Sequence, residues 1–272
     1  MKAIFIVLAS VLGIILIAGG IFYFSYFSSG PLATLVIDSG NAQYKSSGDW
    51  QNANNGMTLN QGDSVKTLDN SAAKIIFSDS VLRLDANTEI ALDTLNKDTV
   101  SISQAIGKTW TNLLKISGIK SYEISTPDAI ATVRGTVFSI EIGNGTRVAV
   151  INGTVHTSVN GTNGGGDITA NKEATVHSGD SSINEIDLLI DSWIKNNIQL
   201  DVQHKAEIKA RIEQKYSTLL NIAKSQQKIS DEDMDKLIAE WIDGKYSIKE
   251  EIAKGTIPAS LAMLIPPEFK RY

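Results

Sequence analysis

The sequence predicts a β-rich domain, built as a short sandwich or roll or as a β-solenoid-like stack. An α-helical C-terminal bundle follows it, and a single N-terminal transmembrane helix precedes it. Three observations carry this reading. Residues 3–27 are almost continuously apolar, residues 33–179 fall into short alternating runs between turn signals, and residues 182–272 switch to helical apolar spacing. With 272 residues, 42% of them hydrophobic, the chain has material for one large or two small packed units.

After Lys2 no charged residue occurs before Asp38. At about 1.5 Å per residue, 3–27 can cross a ~30 Å hydrocarbon layer with some tilt. Ala18, Gly19 and Gly20 are small enough for a signal peptidase. The apolar run continues through Ile21, Phe22, Tyr23 and Phe24, however, beyond the roughly 7–15 residues of a secretory signal. An uncleaved signal anchor is therefore expected. Lys2 favours a cytoplasmic N-terminus, so the bulk is expected to be extracytoplasmic, in the periplasm or at the cell surface.

Ser28 to Pro31 reads as a breaker-rich linker. Beyond it, "TLVID", "SVKTL", "AKIIF", "VLRL", "TEIAL", "TVSIS", "SYEIS", "TVFSIEI", "TRVAVI", "TVHTSV" and "EATVHS" read as strands. Asn-Gly pairs begin at Asn55, Asn144, Asn152, Asn160 and Asn163 and suit tight hairpin turns. On that basis "EIGNGTRVAVINGTVHTSV" reads as a three-stranded meander with two such turns. The Asn-Gly-Thr triplets also match glycosylation sequons, but turns account for them.

Composition narrows the function classes. The absence of cysteine removes disulfides, thiolate metal sites and cysteine nucleophiles. The net charge is −5 and no lysine or arginine cluster appears, so nucleic acid is not an expected partner. His156, His177 and His204 are scattered, and no G-x-S-x-G elbow is present. "DEDMD" at 231–235 lacks the glycine and closing glutamate of a calcium loop. No catalytic residue, cofactor or metal ligand is singled out, and no enzyme activity is expected.

In their order, several segments resemble the FecR domain, the periplasmic domain of bacterial iron-uptake regulators. These are "GMTLNQGDSVKTLDNSAAKIIFSDSVLRLDANTEIAL" from Gly56, "VSISQAIGKTW" ending at Trp110, "ISTPDAIATVRGTVFSIEI" and "TRVAVINGTVHTS". The chain has Asp79-Ser80 where the family often has Asp-Gly. The resemblance implies an extracytoplasmic, non-catalytic β domain used for protein contacts. Its signature falls on Thr126, Pro127, Val133, Arg134, Gly135, Thr136 and Phe138, whose expected role is mainly structural. Only Met1 and Lys2 precede the apolar run, so the cytoplasmic sigma-binding segment of the regulators is not expected.

Arg134 raises its own question, being a permanent charge in an apolar strand pattern. The expectation is an internal clamp on buried carbonyls or a carboxylate, with Asp128, Asp38 and Asp85 as candidate partners and a bulge at Gly135. Trp50 and Trp110 are expected in the core. Were they exposed, they could stack on sugar rings.

In the tail, Ser182 with Glu185 reads as a capping box opening a helix that carries Ile183, Ile186, Ile190, Trp193 and Ile194. A second helix is expected from Asp201 to Ser225, a third from Ser230 to Gly244 and a fourth from Ser247 to Gly255, before a short last helix. The functional expectation is a membrane-anchored protein-interaction, scaffold or sensor module with a protein partner in the cell envelope. The alternatives are a cell-wall or surface-polysaccharide binder and an envelope signalling component.

Overall fold

Alternation of burial along each strand shows which faces are covered. The computed structural model describes residues 33–227 and 230–255, together with 257 and 265. The apolar run 3–27, and with it the expected membrane helix, lies outside the described residues. None of the described helices is long and apolar enough to cross a membrane.

The first half of the β region contributes β1 (Ala33–Ser39), β2 (Ala42–Lys45), β3 (Gln51–Asn52), β4 (Thr58–Leu59), β5 (Ser64–Thr67), β6 (Ala72–Phe77), β7 (Ser80–Leu84) and β8 (Glu89–Leu95). A long strand, β9 (Thr99–Asn112), leads to the second half. This holds β10 (Ser121–Ser125), β11 (Ala129–Val133), β12 (Val137–Gly143), β13 (Gly145–Asn152), β14 (Thr154–Val159), β15 (Gly165–Thr169), β16 (Lys172–Val176) and β17 (Ile186–Asp187).

The strands form two layers. In one, β4 lies beside β1, which is followed by β6, β7, the second half of β9, β12, β13, β16 and β17. The other runs β3, β2, β5, β8, the first half of β9, β10, β11, β14 and β15. Among the described strands only the β9–β10 pair is parallel, so the arrangement is a two-layered sandwich or roll and not a stack of parallel solenoid coils. β9 passes from one layer to the other. Long hairpins do the same: β11–β12 runs against β13–β14, with β12 on β13 in one layer and β11 on β14 in the other.

This bending corrects the expected meander. Asn144 does sit at a tight turn, with Gly143 paired to Gly145. Asn152-Gly153 does not close a hairpin, because β13 and β14 lie in different layers. The expected strand "TVFSIEI" is likewise shortened: Thr136 falls in the bend between β11 and β12. β2, β3, β4, β11, β15 and β17 are not among the expected strands, and all of them but β11 are short or polar.

One apolar core lies between the layers. It takes Leu35, Ile75 and Leu82 from the first layer and Val65, Ile90 and Ile102 from the second. In the second layer β14 alternates exposed and buried along its length, as a half-solvated strand should. In the first layer β7 is buried at every residue and the end of β9 at four in succession. Continuous burial means both faces are covered, and helix α1 (Ser192–Lys215) supplies the second cover. Ile194 packs on Trp110 and Ala149, and the Trp193 indole N–H donates to Ser139 Oγ at 3.2 Å.

The helical part starts later than its sequence pattern suggests. Residues 186–187 pair with β16 as β17, and the Glu185 carboxylate accepts from the Thr169 backbone N–H instead of capping a helix. The cap is Asp191, whose carboxylate accepts from the Ile194 N–H at 2.8 Å. Burial pushes the Asp191 pKa up, but that N–H together with Lys108 and Arg147 holds it below its ordinary value of 3.8. The first two expected helices also merge, since α1 runs unbroken through Asp201. The tail continues with α2 (Ser217–Gln227), α3 (Asp231–Ile242) and α4 (Ile248–Lys254). Ser230 and Ser247 cap α3 and α4 as expected. Ile208, Ile212, Met234, Ile238, Trp241 and Ile242 form a second core, which Leu114 and Ile116 enter from the loop after β9. The helices are therefore packed onto the β domain and share a core with it.

Candidate functional site

The signature residues gather at two turns. Thr126 closes the β10–β11 turn: its hydroxyl accepts from the Ala129 N–H at 3.0 Å, and its own N–H donates to the Ala129 carbonyl at 2.8 Å. Pro127 is exposed in the same turn, and its carbonyl accepts from the Asn160 side-chain amide. Val133 and Phe138 enter the core, where the Phe138 ring meets Tyr122 edge-on at 6.3 Å. Between them the chain bends at Arg134, Gly135 and Thr136. Thr136 is buried, its hydroxyl donating to the Thr154 carbonyl and its carbonyl accepting from the Leu113 N–H.

Gly135 has φ +71°, and an added Cβ would lie 2.4 Å from Lys115 Cγ. Gly244, just past α3, has φ +66° and would meet Lys115 Cδ at 2.6 Å. The left-handed backbone at both positions disfavours any side chain, and one added there would also push the Lys115 stem aside. The Lys115 stem thus runs between two glycines from different parts of the chain, and the residue as a whole remains exposed.

This corner borders an open groove of about 890 Å³ between the β layers' bend and the helices. Lys115, Arg134, Thr154, Ile198, Val202 and Asn112 contribute to its lining. Lys205 and Lys245 also line it and are paired with Asp243 at 2.7 and 3.2 Å. His156 meets Asp167 at 2.7 Å. Lys115 and Arg134 have no carboxylate partner among the described residues.

Arg134 therefore departs from the expected internal clamp. It is exposed, and its three candidate partners are engaged elsewhere. Asp38 pairs with Lys74, Asp85 accepts from the Ala86 N–H, and Asp128 accepts from Thr146 and Ser178. The strand has already ended at Val133, so the bend carries the arginine out of the layers. Arg83 occupies the buried position instead. It is 6% exposed on β7, and its guanidinium meets Asp201 of α1 at 2.5 Å. The Trp110 indole N–H donates to the other Asp201 oxygen at 2.9 Å. Nearby, Arg211 of α1 pairs with Asp79, and His204 meets the Asp79 carbonyl.

Sequence reasoning missed Arg83, Asp201, Lys115, Gly244 and Asn112. Arg83 alternates with Leu82 and Leu84, which reads as a solvent-facing position. Its partner is 118 residues away. The one available signal was Ser80. The Ser80 hydroxyl accepts from the Leu114 N–H at 3.0 Å, a bond that glycine cannot make.

Trp110 is fully buried beneath α1 and cannot stack on a sugar. Trp50 is half-buried, with Lys45 and Lys66 over its ring at 4.9 and 4.3 Å. Among the described residues no group of three or more His, Cys, Asp or Glu side chains is arranged to hold a metal ion.

Comparison with known proteins adds the following. The family model described as FecR protein matches residues 63–156, from β5 into β14. No curated protein matches the chain. Two crystal structures of a proposed anti-sigma factor from Parabacteroides distasonis are similar, at 1.65 and 2.50 Å resolution. Each is 16% identical, and the similarity covers 46% of this chain and 59% of that one, with TM-scores of 0.40 and 0.39. The chain thus spans little more than half the length of those proteins. The similarity to the FecR family over residues 63–156 takes in the signature bend and one wall of the groove.

Proposed function

We propose that this protein is a non-catalytic interaction module of the cell envelope that passes a signal through contact with a protein partner. The FecR match over 63–156 carries this reading. The groove beside the signature supports it, because it places the uncompensated Arg134 where a partner can reach it. In this reading the apolar run 3–27 anchors the chain, the N-terminus is cytoplasmic and the β domain with its helices lies outside the cytosol. The length and continuity of that run support the anchor.

Crosslinking in intact cells tests the interaction. The expected result is a reproducible adduct with one envelope protein; recovery of the chain alone would contradict the proposal. Protease shaving of intact cells or spheroplasts tests the topology, the expected outcome being loss of the C-terminal epitope without lysis.

A further inference from the structure

We infer that the groove receives an extended peptide segment bearing a carboxylate, gripped by Lys115 and Arg134 with Asn112 on its floor. This inference rests on the protein-interaction reading above and names the chemistry of the partner. The first observation is charge. Of the basic groups lining the groove, Lys205, Lys245, Lys120 and His156 face carboxylates, whereas Lys115 and Arg134 face none among the described residues. Two cations left without counter-charge on one concave surface complement an anion.

The second observation is preorganisation. The Lys115 stem passes between Gly135 and Gly244. A side chain held in this way before binding loses less freedom when a ligand arrives.

The third observation separates a peptide from a small anion. Asn112 lies two residues beyond Trp110 on the same face of β9. It is 1% exposed, and neither its amide oxygen nor its amide nitrogen has a partner among the described residues. A carboxamide offers a donor and an acceptor side by side, which matches the C=O and N–H of a peptide group. Ile198 and Val202, 37% and 66% exposed and four residues apart on α1, add an apolar wall. A small anion could accept from the amide N–H but would leave the amide oxygen and the apolar wall unused. The groove volume suits a ligand of a few residues.

The test uses the full chain in detergent micelles against a library of random hexapeptides, followed by anisotropy titration of fluorescein-labelled selected peptides. Selected peptides should be enriched in Asp or Glu next to apolar residues. Changing that acid to its amide, or introducing Arg134→Gln or Lys115→Gln, should weaken binding roughly tenfold or more. Lys172→Gln, at a lysine outside the groove that pairs with Asp187, should stay within about twofold. Unchanged melting of the Gln variants separates recognition from folding.

The inference is overturned if no peptide is selected, if selection shows no acidic preference, if the Gln variants bind equally well, or if succinate competes as tightly as the peptides. Crosslinking in cells keeps the two proposals apart. A partner retained by Arg134→Glu sinks the groove assignment and leaves the interaction reading standing. No partner for the unaltered chain sinks the interaction reading itself.

Discussion

Two arginines at the ends of strands, Arg83 and Arg134, meet opposite fates. Arg83 lies under α1 with its charge matched by Asp201, and Trp110 takes the second oxygen of the same carboxylate. Arg134 stands at the bend between two layers, exposed and without a carboxylate among the described residues. The difference is set by what covers each position. A helix over the first layer forces a charge beneath it to be paired, because an unpaired buried charge is too costly to keep. At the bend none of the described residues covers the side chain, and no partner is required. The covered face therefore holds the molecule together, and the open corner is free to recognise something else.

That comparison can be broken most severely at Asp201. Asp201→Ala strands the Arg83 charge and leaves the Trp110 N–H unpaired, and it should cost about 3–5 kcal/mol in denaturant unfolding. Replacing both partners with apolar residues, Arg83→Met with Asp201→Leu, should recover most of that loss. If the single and double variants are equally unstable, the ion pair is not what the helix needs.

Trp110→Ala should cost a comparable amount, about 3–5 kcal/mol, through lost packing against Ile194 and Ala149. Near-UV circular dichroism would report release of α1.

A smaller effect is expected at the start of α1. Asp191→Ala removes the cap and should cost about 1 kcal/mol. The folded pKa of Asp191 lies below its unfolded value of 3.8, because the Ile194 N–H, Lys108 and Arg147 outweigh burial. Its contribution is therefore fully present above the unfolded value and fades as pH falls through the lower folded one. Hydrogen-exchange protection factors in the first turn of α1 should fall below about pH 4 in the parent chain and lose that dependence in Asp191→Asn. The smallest effect on stability is at Arg134, where substitution should change unfolding by less than about 0.5 kcal/mol while weakening partner binding. A large loss there would return Arg134 to the role of an internal clamp.

Much of the β region was legible because period-two alternation reports a half-buried strand directly, and runs such as "AKIIF" and "TVHTSV" became β6 and β14. What alternation cannot report is a second cover. β7 reads as a strand with one face in water, and only the docking of α1 turns Arg83 into a buried residue. The bends were hidden for a related reason. Asn152-Gly153 carries the same local turn chemistry as Asn144-Gly145, and whether it closes a hairpin or crosses between layers depends on pairings formed elsewhere. Helix starts at Ser230 and Ser247 were readable from their own caps. The apparent cap at Ser182 failed because Ile186 and Asp187 pair with β16 instead. Of the groove, the signature bend was visible in sequence, but Lys115 and Gly244 are joined to it only by the fold.

The most direct test of an open, recognising Arg134 is photo-crosslinking in intact cells from a benzophenone amino acid at Thr154, an exposed residue on the rim of the groove. The account predicts an adduct with a second protein that disappears in Arg134→Glu at unchanged abundance of the chain. An adduct of equal yield in both, or none in either, would contradict it.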